Sequence, residues 1–144
     1  MSYFQSLHHI VLRTKRSEQT LPLEDKQFYA FIWSILKNKQ CHLYRINGMR
    51  DHLHLFVGIH STVALAELVK VLKTSTNKWL KQHGYDFTSW GIKYAALSYS
   101  WKDKDRIINY IRNQREHHKK IDSQEEYRAF IEEMGLTLDN RDIE

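Results

Sequence analysis

At 144 residues the chain is long enough for one domain with a real core and short for two. Its 42% hydrophobic residues and mean hydropathy of −0.61 fit a soluble globular protein; with no apolar run long enough to span a bilayer and no signal-peptide pattern at Met1-Ser2-Tyr3-Phe4, the expected location is the cytoplasm, with no membrane partner. A lone cysteine, Cys41, excludes an internal disulfide and any multi-cysteine zinc site, while 22 Lys and Arg against 17 Asp and Glu, a net charge of +5, favour a polyanionic partner, of which nucleic acid is the usual one.

Residues 8–14 alternate Ile10 and Leu12 against Val11 and Arg13, which predicts a first strand ending in the basic group Arg13, Lys15 and Arg16. After a connector holding Pro22, residues 23–39 carry Phe28, Phe31, Ile32, Ile35 and Leu36 at helical spacing, a core-facing stripe. Residues 41–47 read as a second strand, Gly48-Met49-Arg50 as a tight connection, and Asp51-His52-Leu53-His54-Leu55-Phe56-Val57 as a third strand running to about Ile59. A short loop between two alternating runs makes the pair an antiparallel hairpin. Residues two apart in a strand share a face, so His52 and His54 project side by side, their Cα atoms roughly 7 Å apart, and Leu53, Leu55 and Val57 point the other way. Two imidazoles so placed hold a divalent metal if a third ligand arrives from elsewhere; without one they are a solvated pair on an exposed sheet face.

Ser61 or Thr62 is the expected cap of the next helix, with Glu67 in its early turns and Gly84 as its stop. Leu65, Leu68, Val69, Leu72, Trp79 and Leu80 line one side of it; Lys70, Lys73, Asn77 and Lys81 line another, either a solvated face or a stripe that tracks phosphates. The loop over residues 84–91 holds Tyr85, Phe87 and Trp90, expected to pack the domain edge rather than stack on bases, and residues 93–101 alternate as a fourth strand. Strand, helix, strand, strand, helix, strand is the order of the ferredoxin-like split βαβ arrangement, an α+β fold with an antiparallel sheet and both helices on one face. His52 and His54 then face the uncovered side.

A third helix, opened by Asp103 or Asp105, is expected to run through His118, with Ile107, Ile108 and Ile111 as its apolar side. Tyr110 and Gln114 lie one turn apart on one face, with Arg106, Asn113 and His117 near it. Laid on the open side of the sheet, this helix brings a phenol and a carboxamide to the two histidines. His117 and His118 read as solvated side chains or phosphate contacts. A last helix over residues 123–134 carries Tyr127, Phe130 and Ile131 on one stripe. The whole is expected to be a single domain over 1–144: sheet and helices in about 6–101, tyrosine helix in about 103–120, terminal helix and tail in 121–144.

The sequence resembles the single-tyrosine HUH transposases of bacterial insertion sequences, the IS200-like transposases. The likeness runs through Val11-Leu12-Arg13-Thr14-Lys15-Arg16, Asn47-Gly48-Met49-Arg50-Asp51-His52-Leu53-His54-Leu55-Phe56, the stretch from Leu68 to Leu80, Leu97-Ser98-Tyr99-Ser100, Tyr110-Ile111-Arg112-Asn113-Gln114-Arg115-Glu116-His117-His118 and Glu125-Glu126-Tyr127-Arg128-Ala129-Phe130. It implies that His52, His54 and Gln114 bind a divalent metal, Mg²⁺ or Mn²⁺, and that Tyr110 attacks DNA to leave a 5′-phosphotyrosine and a free 3′-hydroxyl. It further implies single-stranded substrates with hairpins at the element ends, and a homodimer in which the tyrosine helix of one subunit can complete the site of the other through a flexible joint around residues 102–105. Asp51 matches an acidic residue beside the triplet and is expected to support the hairpin or hold a ligand from behind. DNA contacts are expected from Arg13, Lys15, Arg16, Lys70, Lys73, Lys81, Arg106, Asn113 and His117. Trp101-Lys102-Asp103 and the ending Asn140-Arg141-Asp142-Ile143-Glu144 depart from the pattern. Two other functions fit the same fold: a catalytically idle hairpin-binding regulator, and a replication-initiator or relaxase-type nuclease.

Overall fold

Four alternating runs become strands: β1 (Leu7–Arg13), β2 (His42–Met49), β3 (His52–Gly58) and β4 (Ala95–Tyr99). A computed structural model describes residues 2–118 and 121–137. The strands form one antiparallel sheet in the order β2-β3-β1-β4, the order a split βαβ chain requires when each helix crosses over one face. Helices α1 (Lys26–Asn38) and α2 (Leu65–Gln82) make those crossovers. They enclose the main core with Ile10, Leu12, Leu53, Leu55 and Val57 from the sheet.

The opposite face is covered by α3 (Lys104–Arg112), α4 (Gln114–His117) and α5 (Ser123–Glu133). Leu7 and Phe56 pack on Ile107 and Ile111 of α3, and Val11, Ala95 and Leu97 pack on Tyr127, Phe130 and Ile131 of α5. The sheet is therefore buried on both sides, and everything β3 points away from the main core lies under α3 to α5. Among the described residues no helix is long and apolar enough to cross a membrane.

Several boundaries differ from the sequence reading for local reasons. Met49 pairs with His52, so the hairpin turn is Arg50-Asp51 and Gly48 lies inside β2, opposite Leu53. Gly48 is required by close approach rather than by the turn: a Cβ there would sit 2.6 Å from the His52 carbonyl oxygen. Helix α1 starts three residues late because Asp25 caps it, accepting from the Gln27 and Phe28 amides. Ser61 and Thr62 do not cap α2, whose first residue follows Ala64; the Thr62 side chain meets His60 Nδ1 at 2.7 Å instead. Gly84, at φ +81°, does end that helix. The expected continuous third helix breaks at Asn113 (ψ 17°) into α3 and α4, yet the His117 amide still reaches the Asn113 carbonyl at 2.9 Å, so the two pieces follow one another with little change of course. The expected flexible joint around residues 102–105 is ordered: residues 101–103 form a 3₁₀ turn braced by Asp103 Oδ2, which accepts the Ser100 hydroxyl at 3.0 Å, and residues 104 and 105 open α3. The departing segment at residues 140–144 lies outside the described residues.

Candidate metal centre and nucleophile

The period of β3 sets the site. His52 and His54 are buried on the α3–α5 side of the sheet. Asp51, in the turn, accepts from His52 Nδ1 at 2.6 Å, which holds the ring with Nδ1 toward the turn and Nε2 toward the site. That atom is buried and has no hydrogen-bond partner among the described residues. Burial pulls the Asp51 carboxyl up, but hydrogen bonds from His52 and Ser123 and the Arg13 charge hold it at about 2. His54 Nδ1 meets His9 Nε2 at 2.8 Å, and burial lowers His54 to about 4, so it is neutral at pH 7.

Helix α5 brings a carboxylate, Glu126, into the middle of this group. Its Oε1 lies 3.1 Å from His54 Nε2, 3.2 Å from His118 Nε2 and 3.6 Å from His52 Nε2. Its Oε2 accepts the Tyr110 hydroxyl at 2.8 Å and faces His117 Nε2 at 3.1 Å. Burial works against the ionised carboxyl, but hydrogen bonds from His118, His54 and Tyr110 outweigh it and keep Glu126 well below the ordinary range. The same arrangement raises Tyr110 far above a free phenol, through burial first and the neighbouring negative charge second. Tyr110 thus stands protonated beside His54, ring centroids 5.9 Å apart, in its own chain.

Gln114 is fully buried, with Nε2 on the Tyr110 carbonyl at 3.4 Å and Oε1 3.2 Å from His118 Nε2. It reaches the edge of the cluster through His118. A divalent cation fits this set: His52, His54, His118 and Glu126 each offer a ligand atom, all within 4.8 Å of one another, and the partnerless His52 Nε2 is a donor of electrons with nothing to receive them. Imidazole nitrogens with a carboxylate oxygen suit a divalent transition ion. Beside the phenol runs a cleft of about 280 Å³ lined by Tyr99, Arg106, His117 and Phe130.

The residues expected at DNA divide into groups. Arg13 is buried, its guanidinium on the Ser123 carbonyl and over the Tyr127 ring, and it fastens α5 to β1. Lys73 donates to the Gly91 and Ile92 carbonyls and pins that loop. Lys70 and Lys81 are exposed on α2, on the layer opposite the histidines. Lys15 and Arg16 are exposed in the 3₁₀ turn after β1, at the His52 end of the sheet. Arg106 lies at the cleft, bonded to Asp103 at 3.4 Å; Asn113 is exposed at the α3–α4 junction, and His117 is at Glu126. Phe87 and Trp90 are buried, as edge packing requires.

Sequence reading missed His9, His118 and Glu126 as members of the site. His9 shares the β1 face with Val11 and Arg13, so strand alternation alone places it on the histidine side. Glu126 is four residues before Phe130 and one before Tyr127, a charge set in the buried stripe of α5; that intrusion was the available signal.

The sequence profile of the family described as Transposase IS200 like matches residues 2–114. Among solved structures, a candidate transposase from Deinococcus radiodurans R1 aligns with a TM-score of 0.59 at 22% identity, covering 78% of this chain and 93% of that one. A REP-associated tyrosine transposase bound to a REP hairpin aligns with a TM-score of 0.61 at 13% identity, covering 84% of this chain and 76% of that one. At these identities the structural likeness establishes the fold. No curated protein matches the sequence.

Proposed function

Because this chain belongs to the IS200-like transposase family, we propose that it cuts and rejoins single-stranded DNA at element ends, with Tyr110 as nucleophile and His52, His54 and Gln114 around a divalent metal. The observation that carries this reading is the Tyr110 hydroxyl held 2.8 Å from a carboxylate whose other oxygen touches the triplet histidine His54. A phenol, two oriented imidazoles and a cleft beside them are what a transesterification at phosphorus needs.

In this reading a single strand lies in the cleft with its scissile phosphate against Tyr110. The Tyr110 oxygen bonds to phosphorus as its proton passes to Glu126 Oε2, 2.8 Å away, the bond from phosphorus to the 3′-oxygen of the preceding nucleotide breaks and that oxygen takes up a proton to leave as a 3′-hydroxyl, and the chain holds the DNA as a 5′-phosphotyrosine. A 3′-hydroxyl from another end reverses the step and joins strands without a nucleotide cofactor. When bound, the metal supplies charge relief on the phosphate oxygens and favours the phenolate. Asp51 keeps the His52 proton on Nδ1, and Arg106 and His117 put positive or donor groups along the cleft. Mg²⁺ or Mn²⁺ is the proposed ion, the nitrogen ligands favouring Mn²⁺.

The proposed partner is DNA with a hairpin at the element end, in the cytoplasm. A homodimer would hold two ends together; with Tyr110 beside the histidines of its own chain, the partner's tyrosine is not needed for the chemistry. An idle hairpin-binding regulator has no use for a buried nucleophile meeting a metal set. The test is to incubate the full chain with single-stranded element ends and Mn²⁺ and resolve the products under denaturing conditions. A covalent adduct formed by the wild type and not by Tyr110→Phe supports the reading. Tight, metal-independent binding without an adduct supports the regulator.

A further inference from the structure

We propose that Glu126 is itself a ligand of the metal, binding through Oε1 beside His52 and His54 while Oε2 positions the Tyr110 hydroxyl. This rests on the metal-dependent reading above and adds a carboxylate to the ligand set.

His52 donates its Nδ1 hydrogen to Asp51, so the other ring nitrogen, Nε2, faces Glu126 Oε1 at 3.6 Å, too far for a hydrogen bond, and has no hydrogen-bond partner among the described residues. A buried ring nitrogen and a buried carboxylate oxygen that face each other without a hydrogen bond are both satisfied by a cation placed between them. Ligand atoms at about 2.1 Å from a cation and at right angles to one another are about 3 Å apart; the nitrogens of His54, His118 and His52 stand 3.1, 3.2 and 3.6 Å from Oε1.

Glu126 is also delivered by the residues that orient His52. The first residue of α5, Ser123, donates its hydroxyl to Asp51 Oδ2 at 2.6 Å, and its carbonyl accepts from Arg13 at 3.2 Å. Asp51 is the same group that orients His52. One network therefore sets the tautomer of a triplet histidine and fixes the start of the helix that presents Glu126 one turn later. Glu126 then couples two functions through one carboxylate, an anionic ligand on one oxygen and a fixed partner for the nucleophile on the other.

Mn²⁺ binding to the full chain without DNA, followed by calorimetry and by the free-ion electron paramagnetic resonance signal, tests this. Glu126→Gln, which keeps an acceptor for Tyr110 but loses the charge, should weaken Mn²⁺ by roughly tenfold or more. Gln114→Ala should weaken it less, because water replaces a neutral oxygen ligand. If Glu126→Gln binds like the wild type while His52→Ala loses the ion, the metal reading stands and the assignment of Glu126 falls. If His52→Ala also binds like the wild type, both fall. Wild-type crystals soaked in Mn²⁺ give an answer that depends on no variant: an anomalous peak about 2.2 Å from Glu126 Oε1 is expected. A peak on His52 and His54 that stands clear of Glu126 overturns the proposal.

Discussion

A hydrogen bond of 2.6 Å between His52 and Asp51 is the smallest unit on which the site depends, because it decides which imidazole nitrogen is available. Asp51→Asn loses the charge and leaves one acceptor oxygen where His52 and Ser123 now use two, so the orientation of His52 loosens and Mn²⁺ affinity measured by calorimetry should drop about 10–100-fold. The same carboxyl predicts a pH dependence. It titrates at about 2 in the fold against an ordinary 3.8, so its contribution to stability is complete above the unfolded value and lost as pH falls from there toward 2. Glu126 is shifted in the same direction. Urea midpoints of the metal-free chain should therefore decline below about pH 4, and Asp51→Asn should flatten part of that decline. At this scale His52, His54 and Tyr110 were legible in the sequence, since strand period and helix spacing alone put them on definite faces. His9, His118 and Glu126 were not. Their meeting depends on α5 folding back onto β1 and β3, which local periodicity does not encode, and of the adjacent acids Glu125 and Glu126 only the docked helix shows which one turns inward.

Between residue and molecule, two elements carry the chemistry: the β2–β3 hairpin and the helix that bears Tyr110. Gly48→Ala places a Cβ 2.6 Å from the His52 carbonyl, a backbone atom that cannot yield cheaply. The expected loss is about 1–3 kcal/mol in urea unfolding, with weakened metal binding because His52 is the residue displaced. Ile111 is fully buried against Leu7 and Phe56. Ile111→Ala should cost about 2–5 kcal/mol and loosen α3 from the sheet, so that any DNA adduct forms more slowly. An Ile111→Ala protein as stable as the wild type would mean that α3 is not held by this packing. Sequence pattern gave every strand and long helix, because alternation and the 3.6-residue stripe are strong over those lengths. It misplaced the hairpin turn by reading Gly48 as a turn residue, when the glycine answers a close approach across the strands. It also missed the break at Asn113, which no proline or glycine announces.

In the molecule as a whole, a sheet that would expose two histidines is closed by three short helices, and closing it assembles the site. Tyr110 meets Glu126 and His54 of the same chain, so each subunit is expected to be complete. A mixture of His54→Ala and Tyr110→Phe chains should form no more adduct with DNA than either alone; restored activity in the mixture would show that tyrosines are exchanged between subunits. The order of elements, and so the topology, was readable from the sequence, while the coverage of the second face was only anticipated as a need. The most direct measurement is peptide mapping by mass spectrometry of the product formed when the chain, Mn²⁺ and a hairpin-bearing single strand are combined. The expected product is an oligonucleotide joined through its 5′-phosphate to the peptide containing Tyr110. Attachment at any other residue, or stable binding with no covalent product, would contradict it.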